Sequence, residues 1–160
     1  MKYFTPSEAV QLINSGESVY IQGSTSIPEV LCKALADRGD ELRDVTIYAA
    51  FAVGRCEAPF CRPEYKDSFN IKSLFVANNI RKWLAAGYGS TIPAFLGEIP
   101  GLFRDGTLPL DAVFLNVSQP NDEGYCSFGV SADLAVSAVE CASKVIVQVN
   151  KAMPFSYGDA

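Results

Sequence analysis

Short, continuous runs of apolar residues recur along the chain and predict buried β-strands. Val45–Ala50, Ala112–Val117 and Val145–Val149 each have the length of a strand and are rich in β-branched or aromatic residues. Two shorter runs, Ser18–Gln22 and Leu74–Ala77, are predicted as further strands. Because most of these runs are continuous rather than alternating, we expect a sheet that is covered on both faces.

Segments with helix-start signals lie between these strands. Thr5 can cap a helix that has Pro6 in its first turn, Glu8 completes a capping box, and we expect this helix to end by Gly16. Ser26–Glu29 repeats the capping-box pattern and predicts the start of a second helix. Further helices are predicted at residues 78–84, with Asn78 as the cap, 98–103 and 131–142. The alternation of strands and helices predicts an α/β fold with a mostly parallel sheet, in one domain that covers residues 1–160.

Turn-forming residues separate these elements. Residues 54–70 contain Pro59 and Pro63 among mixed charges and are expected to be irregular, and Gly87–Gly89 is expected to end the third helix. Pro120–Gly124 is a turn by composition.

Composition and charge exclude several classes of protein. The formal net charge is −5 and no stretch concentrates lysine and arginine, so we expect no nucleic-acid partner. The longest apolar runs are shorter than the roughly 20 residues that a membrane helix needs, and we expect no membrane partner. The first ten residues lack the apolar segment of a secretory signal, which favours a cytoplasmic location.

Cysteine and histidine usage narrows the chemistry. The chain has an odd number of cysteines, five, and no C-x-x-C pair, so we expect free thiols rather than disulfides or a zinc site. The chain has no histidine, which excludes Ser-His-Asp and Cys-His nucleophile systems within it. Any chemistry must use carboxylate, lysine, tyrosine, thiol or backbone groups.

Loops that follow the predicted strands are candidate binding segments. Ligands of open parallel sheets bind beyond the carboxyl ends of the strands. The segments at that edge are Gly23–Ser26, Phe51–Gly54, Asn78–Asn79 and Asn150–Gly158. In the first of them, a glycine allows close approach of a ligand, and the following helix N-terminus favours an anion or an oxyanion. The alternative interpretation is a well-capped turn between a strand and a helix, since the segment has no established phosphate-loop motif.

No carboxylate is singled out by its sequence neighbours. The candidates are Glu57, Glu64, Glu98, Glu123 and Asp159. Asp159 is the best of them, because it follows a glycine in a loop at the end of a strand. Ser127 does not lie in a G-x-S-x-G motif, and Cys126 is interpreted as a core residue.

Several longer strings resemble the acetyl-CoA hydrolase/transferase family, and its 4-hydroxybutyrate CoA-transferase branch in particular. They are Asp111–Pro120, Gly124–Ser131, Val147–Pro154 followed by Gly158-Asp159, Phe75–Lys82, Pro93–Pro100, and Ser7–Val10 through Gly23. The resemblance covers nearly the whole chain in order. It implies the three-layer α/β/α fold of family I CoA-transferases, incomplete at its C-terminus, with a second α/β domain expected elsewhere.

The resemblance also implies a function for the site. In this family a glutamate of the second domain is the nucleophile, so we expect no catalytic residue, metal or cofactor in this chain, with a coenzyme A thioester as the substrate. We expect the chain to line the substrate site through Gln22, Gly23, Ser24 and Thr25, and through Asn150, Met153 and Pro154. The expected substrates are an acyl-CoA and a short-chain carboxylate, and the expected partners are the C-terminal domain and further copies in a homo-oligomer.

Three alternatives remain open at this point. The full-length protein can be an acetyl-CoA hydrolase instead of a transferase. The chain can also be a ligand-binding α/β module without turnover, or a non-catalytic subunit that needs a partner chain.

Overall fold

A six-stranded parallel sheet lies between two layers of helices in the computed structural model, which describes residues 2–51 and 59–158. The strand order is β4-β3-β2-β1-β5-β6, and all five neighbouring pairs are parallel. The strands are β1 Ser18–Ile21, β2 Val45–Ala49, β3 Phe69–Ser73, β4 Gly89–Thr91, β5 Ala112–Val117 and β6 Lys144–Val149. The helices are α1 Pro6–Ala9, α2 Glu29–Ala36, α3 Asn78–Ala85, α4 Ile99–Arg104 and α5 Ala135–Cys141.

Side chains of the central strands divide between two cores, because successive residues of a strand face opposite sides of the sheet. Val19 and Ile21 of β1 lie in the core beneath α1, α2 and α3. Tyr20, between them, lies in the other core, beneath α4 and α5. Residues of β5 are buried on both faces, as the continuous apolar run predicts. The predicted α/β/α layering and parallel sheet are confirmed.

The first helix confirms one capping box and ends before Gly16, as predicted. The Thr5 hydroxyl accepts a hydrogen bond from the Glu8 N–H, and the Glu8 carboxylate accepts one from the Thr5 N–H. The α-helix ends at Ala9, and a 3₁₀ turn, Val10–Leu12, completes the element well before Gly16.

The second predicted capping box is wrong. Helix α2 begins at Glu29 with Pro28 as its N-cap, and no side chain caps it. Ser26 instead closes a turn, in which its N–H donates to the Gly23 carbonyl at 3.2 Å. Asn78 is likewise not a cap, because the N-cap of α3 is Ala77.

The strand predicted at Leu74–Ala77 is also wrong. Strand β3 runs over Phe69–Ser73 and begins at the end of residues 54–70, the segment that was expected to be irregular. Its polar positions, Asn70 and Lys72, interrupt the apolar run that predicts a strand. The apolar residues after Ser73 form the turn into α3, where Leu74 and Ala77 are buried.

The structure differs from two further expectations. Strand β4, Gly89–Thr91, begins inside the segment that was expected only to end α3. Its first residue must be glycine, because a Cβ there would lie 2.7 Å from the Ile71 carbonyl oxygen. The helix predicted at residues 131–142 begins at Ala135. Residues 131–134 form a turn instead, in which Asp133 has a φ of +46°.

Candidate functional site

The connections between strands create a switch point between β1 and β5. The chain moves from β1 outward to β4, then crosses to the other side of β1 to form β5 and β6. In open parallel sheets the crevice beyond the carboxyl ends of strands at such a point is the usual ligand site. The loop Gln22–Ser26 leaves β1 at this point, and Asn150–Pro154 leaves β6 at the same edge of the sheet.

Gln22 lies fully buried between β1 and a segment that crosses the switch point. Its Nε2 donates to the Ser131 carbonyl at 2.7 Å, and its Oε1 accepts from the Asn116 N–H at 2.8 Å. Both ends of the amide are therefore engaged within the protein. Gln22 therefore holds the loop against β5 and the segment at Ser131.

Gly23 is enclosed so closely that no larger residue fits. A Cβ at this position would lie 2.6 Å from the Phe51 carbonyl oxygen and 2.8 Å from Oδ2 of Asp133. The Ser24 N–H donates a hydrogen bond to the same Phe51 carbonyl. We expected the glycine to let a ligand approach closely, but the space beside its Cα is filled by Phe51 and Asp133 of the protein itself. Thr25 is the exposed residue of the turn.

Ser24 and Ser26 complete the geometry of this turn. Ser24 has a φ of +57°, which is uncommon for a residue other than glycine, asparagine or aspartate. The Ser26 hydroxyl is fully buried and makes no hydrogen bond among the described residues. A buried hydroxyl in that state costs about 1–3 kcal/mol.

Asp133 is the residue of the site that sequence reasoning missed. It is exposed, its carboxylate lies against Gly23, and its Oδ1 accepts hydrogen bonds from the Tyr20 hydroxyl at 3.4 Å and from the Leu134 N–H. Asp133 was missed because it lies inside the helix predicted at residues 131–142, where its side chain would point along the helix surface. An aspartate just before an apolar helical pattern is typical of a helix N-terminus, and this signal would have placed the start of the helix after Asp133.

The second group of predicted residues forms a turn after β6. The Asn150 N–H donates to the Val117 carbonyl at 2.9 Å, its Oδ1 accepts from the Ala152 N–H, and its carbonyl accepts from the Met153 N–H. Met153 packs directly over Gly129, where an added Cβ would lie 2.2 Å from the sulfur. Pro154 is exposed.

The segment 127–133 connects these two groups. At one end, the Ser127 hydroxyl accepts hydrogen bonds from the Ser156 N–H at 3.0 Å and from the Gly129 N–H at 3.2 Å. At its other end, Ser131 and Asp133 contact Gln22 and Gly23. The predicted residues thus share one edge of the sheet, joined through this segment.

Two aromatic rings extend the edge beyond Gly23. Phe51 follows β2 and is 47% exposed, and Phe75 follows β3 and is 53% exposed. Their ring centroids lie 5.7 Å apart in an edge-to-face arrangement. Since the Phe51 carbonyl contacts the Gly23 turn, the pair provides an apolar surface beside it.

The other candidate carboxylates lie on exposed elements. Glu98 is the N-cap of α4 and accepts a hydrogen bond from the Phe95 N–H at 3.0 Å. Glu64 lies within the 3₁₀ turn Pro63–Tyr65, and Glu123 lies in the predicted turn after β5. Glu57 and Asp159 lie outside the described residues.

Burial raises the pKa of two side chains. It raises the pKa of the Tyr48 phenol, as does the Asp111 carboxylate, and it raises the pKa of the Cys126 thiol. Cys32, Cys61, Cys126 and Cys141 are free thiols. Across residues 2–51 and 59–158, no three cysteine or carboxylate side chains are grouped to hold a metal ion. Nor does this part of the chain contain a helix that is both long and apolar enough to cross a bilayer.

Comparison with known proteins gives a match over the whole chain. Residues 1–160 match the sequence model of the acetyl-CoA hydrolase/transferase N-terminal domain. The 4-hydroxybutyrate coenzyme A transferase of Clostridium kluyveri is 34% identical over 99% of this chain and 37% of its own length. The succinyl-CoA:acetate/propanoyl-CoA:succinate CoA transferase of Fasciola hepatica is 32% identical over 96% of this chain and 32% of its own length. The chain therefore spans about a third of the length of these relatives.

A solved structure shows the same fold. RipA from Yersinia pestis superposes with a TM-score of 0.87 at 28% identity, covering 98% of this chain and 38% of RipA.

Proposed function

The chain belongs to the acetyl-CoA hydrolase/transferase family, whose N-terminal domain it matches, and on that premise we propose that it forms part of the substrate site of a short-chain acyl-CoA:carboxylate CoA-transferase. The observation that carries the proposal is the family match over residues 1–160, together with relatives named as CoA-transferases. We assign the glutamate nucleophile to the second domain, in the part of the relatives' length that this chain does not match.

The proposed chemistry is exchange of a thioester on a carboxylate. The glutamate of the second domain attacks the acyl-CoA carbonyl, and the sulfur leaves with its bonding electrons. The CoA thiolate then attacks the resulting acyl-glutamyl anhydride at the glutamyl carbonyl, which releases the acyl group as a carboxylate and leaves glutamyl-CoA. A second carboxylate takes the CoA by the reverse sequence. Each attack places negative charge on a carbonyl oxygen, which backbone N–H groups stabilise.

The turn at Gly23 is the proposed contact with that oxygen. The Ser24 N–H is already bound to the Phe51 carbonyl, so the contact is assigned to the N–H groups of Gly23 and Thr25. The Phe51–Phe75 pair gives the acyl chain an apolar surface next to it. Asn150, Met153 and Pro154 line the far side of the same edge.

A stand-alone anion-binding module fits the site less well. The N–H of Val30, in the first turn of α2, is occupied by the Gln148 side chain at 3.1 Å. A phosphate group bound at the N-terminus of α2 would have to do without this donor.

A chimera tests the proposal. Residues 1–160 replace the matched N-terminal third of the Clostridium kluyveri enzyme, and CoA exchange between acetyl-CoA and butyrate is measured. We expect exchange by the chimera and none by the isolated chain. A well-folded chimera without exchange would contradict the proposal, as would exchange by the isolated chain. Release of free CoA without an acceptor would favour a hydrolase.

A further inference from the structure

The hydrogen-bond ladder between β1 and β5 ends at the candidate site. The Gln22 N–H donates to the Phe114 carbonyl at 3.0 Å, as a regular parallel ladder requires. One further rung would join the Asn116 N–H to the Gln22 carbonyl and the Ser24 N–H to the Asn116 carbonyl. The Ser24 N–H donates instead to the carbonyl of Phe51, which follows β2. The chain therefore turns away from β5 between Gln22 and Ser24, and the two strands part at this point.

The Gln22 side chain takes the place of the missing rung. The Asn116 N–H donates to Oε1 of Gln22 at 2.8 Å, and Nε2 of Gln22 donates to the Ser131 carbonyl at 2.7 Å. Gln22 is 0% exposed and Asn116 is 5% exposed, so water does not reach this N–H. Because a buried N–H without an acceptor is costly, the Gln22 carboxamide is what allows β1 and β5 to separate here.

A neutral carboxamide meets both demands of this position. The Asn116 N–H needs an acceptor, and the Ser131 carbonyl needs a donor, so the two partners fix which end of the amide faces which. An ionised carboxylate at position 22 has only acceptors and would face the Ser131 carbonyl with negative charge. The same carboxyl, once protonated, can donate to that carbonyl, whereas a thioether makes neither bond.

The Gln22 carboxamide joins the segments that surround the Gly23 turn. Gln22 directly precedes Gly23, and Ser131 belongs to the segment that carries Asp133, whose carboxylate lies against Gly23. Through Asn116 the same side chain is bound to β5. The directions in which the N–H groups of the turn point are therefore set by the Gln22 bridge, the pair of hydrogen bonds that its carboxamide makes.

We propose that Gln22 is a positioning residue for CoA transfer, whose bridge holds the Gly23 turn in the orientation in which its N–H groups meet the oxyanion. This role rests on the proposed function, which assigns that contact to Gly23 and Thr25, whereas the bridge itself does not. Because charge develops on the oxygen only in the transition state, a displaced turn lowers kcat and leaves KM largely unchanged.

Kinetics of the chimera test the role of Gln22. We expect Gln22→Met to lower kcat for exchange between acetyl-CoA and butyrate about tenfold or more, with KM for each substrate within about twofold. Gln22→Glu should show the same loss at about pH 8 and recover most of it by about pH 5.5, because burial favours the protonated carboxyl, which donates to Ser131. Gln119→Glu is the matched control, since Gln119 is exposed in the loop after β5, and it should change neither kcat nor its pH dependence.

Each variant is compared with the unsubstituted chimera at the same pH. The titratable side chains on β1, β5 and residues 131–134 are Tyr20 and Asp133, and all variants share them. An unchanged kcat in Gln22→Met would overturn the positioning role, as would a rise in KM without a fall in kcat. A loss in Gln22→Glu that does not depend on pH would also overturn it.

Amide hydrogen exchange in the isolated chain tests the Gln22 bridge without reference to activity. We expect the Asn116 amide to exchange slowly in the unsubstituted chain and at least about tenfold faster in Gln22→Met. The Phe114 amide, which lies earlier in the same strand, should keep its rate. Rapid exchange of Asn116 in the unsubstituted chain, or equal acceleration of Phe114 and Asn116 in Gln22→Met, would overturn a local bridge.

The outcomes distinguish the two proposals. CoA exchange with a kcat that Gln22→Met does not change would remove the positioning role and leave the proposed function intact. An unsubstituted chimera without CoA exchange would contradict the proposed function, while the exchange rate of the Asn116 amide would still decide whether the bridge exists.

Discussion

Gly23→Ala tests whether the turn after β1 is held by close backbone contact. The new Cβ would lie 2.6 Å from the Phe51 carbonyl oxygen, which belongs to the backbone and cannot rotate away. The Asp133 carboxylate at 2.8 Å is an exposed side chain that can move. We therefore expect the turn to shift and the hydrogen bond from Ser24 to weaken. Overpacking of this kind costs about 1–3 kcal/mol, and a lost hydrogen bond accounts for about 1 kcal/mol of it.

Urea denaturation of the isolated chain measures this cost, and Gly101→Ala is the matched control. Gly101 lies in α4, and a Cβ there meets no atom within 4 Å. The control should gain about 0.4–1 kcal/mol, because alanine favours a helix more than glycine does. We expect Gly23→Ala to lower the free energy of unfolding by about 2 kcal/mol. A change within about 0.5 kcal/mol, as at an ordinary surface site, would refute the close contact.

Three further predictions concern polar groups and a thiol. Ser26→Ala should leave the free energy of unfolding unchanged or raise it, because the Ser26 hydroxyl makes no hydrogen bond among the described residues. Ser18→Ala should lower the free energy of unfolding by about 1–3 kcal/mol, because the Ser18 hydroxyl donates to the Pro109 carbonyl at 2.7 Å. Equal losses for the two variants in urea denaturation would contradict this prediction. Burial opposes ionisation of Glu17, but hydrogen bonds from Lys144, at 2.5 Å, and from Asn14 outweigh it, so the pKa of Glu17 is lowered. The Glu17–Lys144 ion pair therefore stabilises the fold at pH values above the ordinary pKa of a glutamate. This stabilisation is lost as the pH falls through the lowered pKa of Glu17. Glu17→Gln should therefore cost roughly 1 kcal/mol at neutral pH and nothing in acid, and a loss independent of pH in denaturation series would contradict the assignment. Because burial raises the pKa of Cys126, iodoacetamide at neutral pH should alkylate it more slowly than a cysteine in a short peptide, and a faster rate by peptide mass spectrometry would contradict that.

The long apolar runs made the centre of the fold predictable. β2, β5 and β6 coincide with the predicted runs to within a residue or so, since apolar residues predominate in each strand and β2 and β5 are buried on both faces. Strand β3 was missed because the exposed Asn70 and the half-buried Lys72 interrupt its apolar run. Strand β4 was missed because it is only three residues long and begins with a glycine, a pattern that is typical of a turn.

The candidate site was predictable in position but not in its contacts. The sequence placed Gly23 after a strand, and the parallel sheet then fixes the edge at which it lies. What surrounds Gly23 depends on Phe51 and Asp133, which come from distant segments. The spacing from Ser26 to Glu29 suggested a cap that the fold does not use, because Ser26 is drawn into a turn with Gly23.

Localisation of the covalent intermediate tests the central claim most directly. The chimera is incubated with acetyl-CoA, the thioester is trapped with hydroxylamine, and the modified residue is identified by peptide mass spectrometry. We predict a glutamyl hydroxamate in the part contributed by the Clostridium kluyveri enzyme and no modification within residues 1–160. A hydroxamate on Asp133, Glu98 or any other carboxylate of this chain would contradict the account.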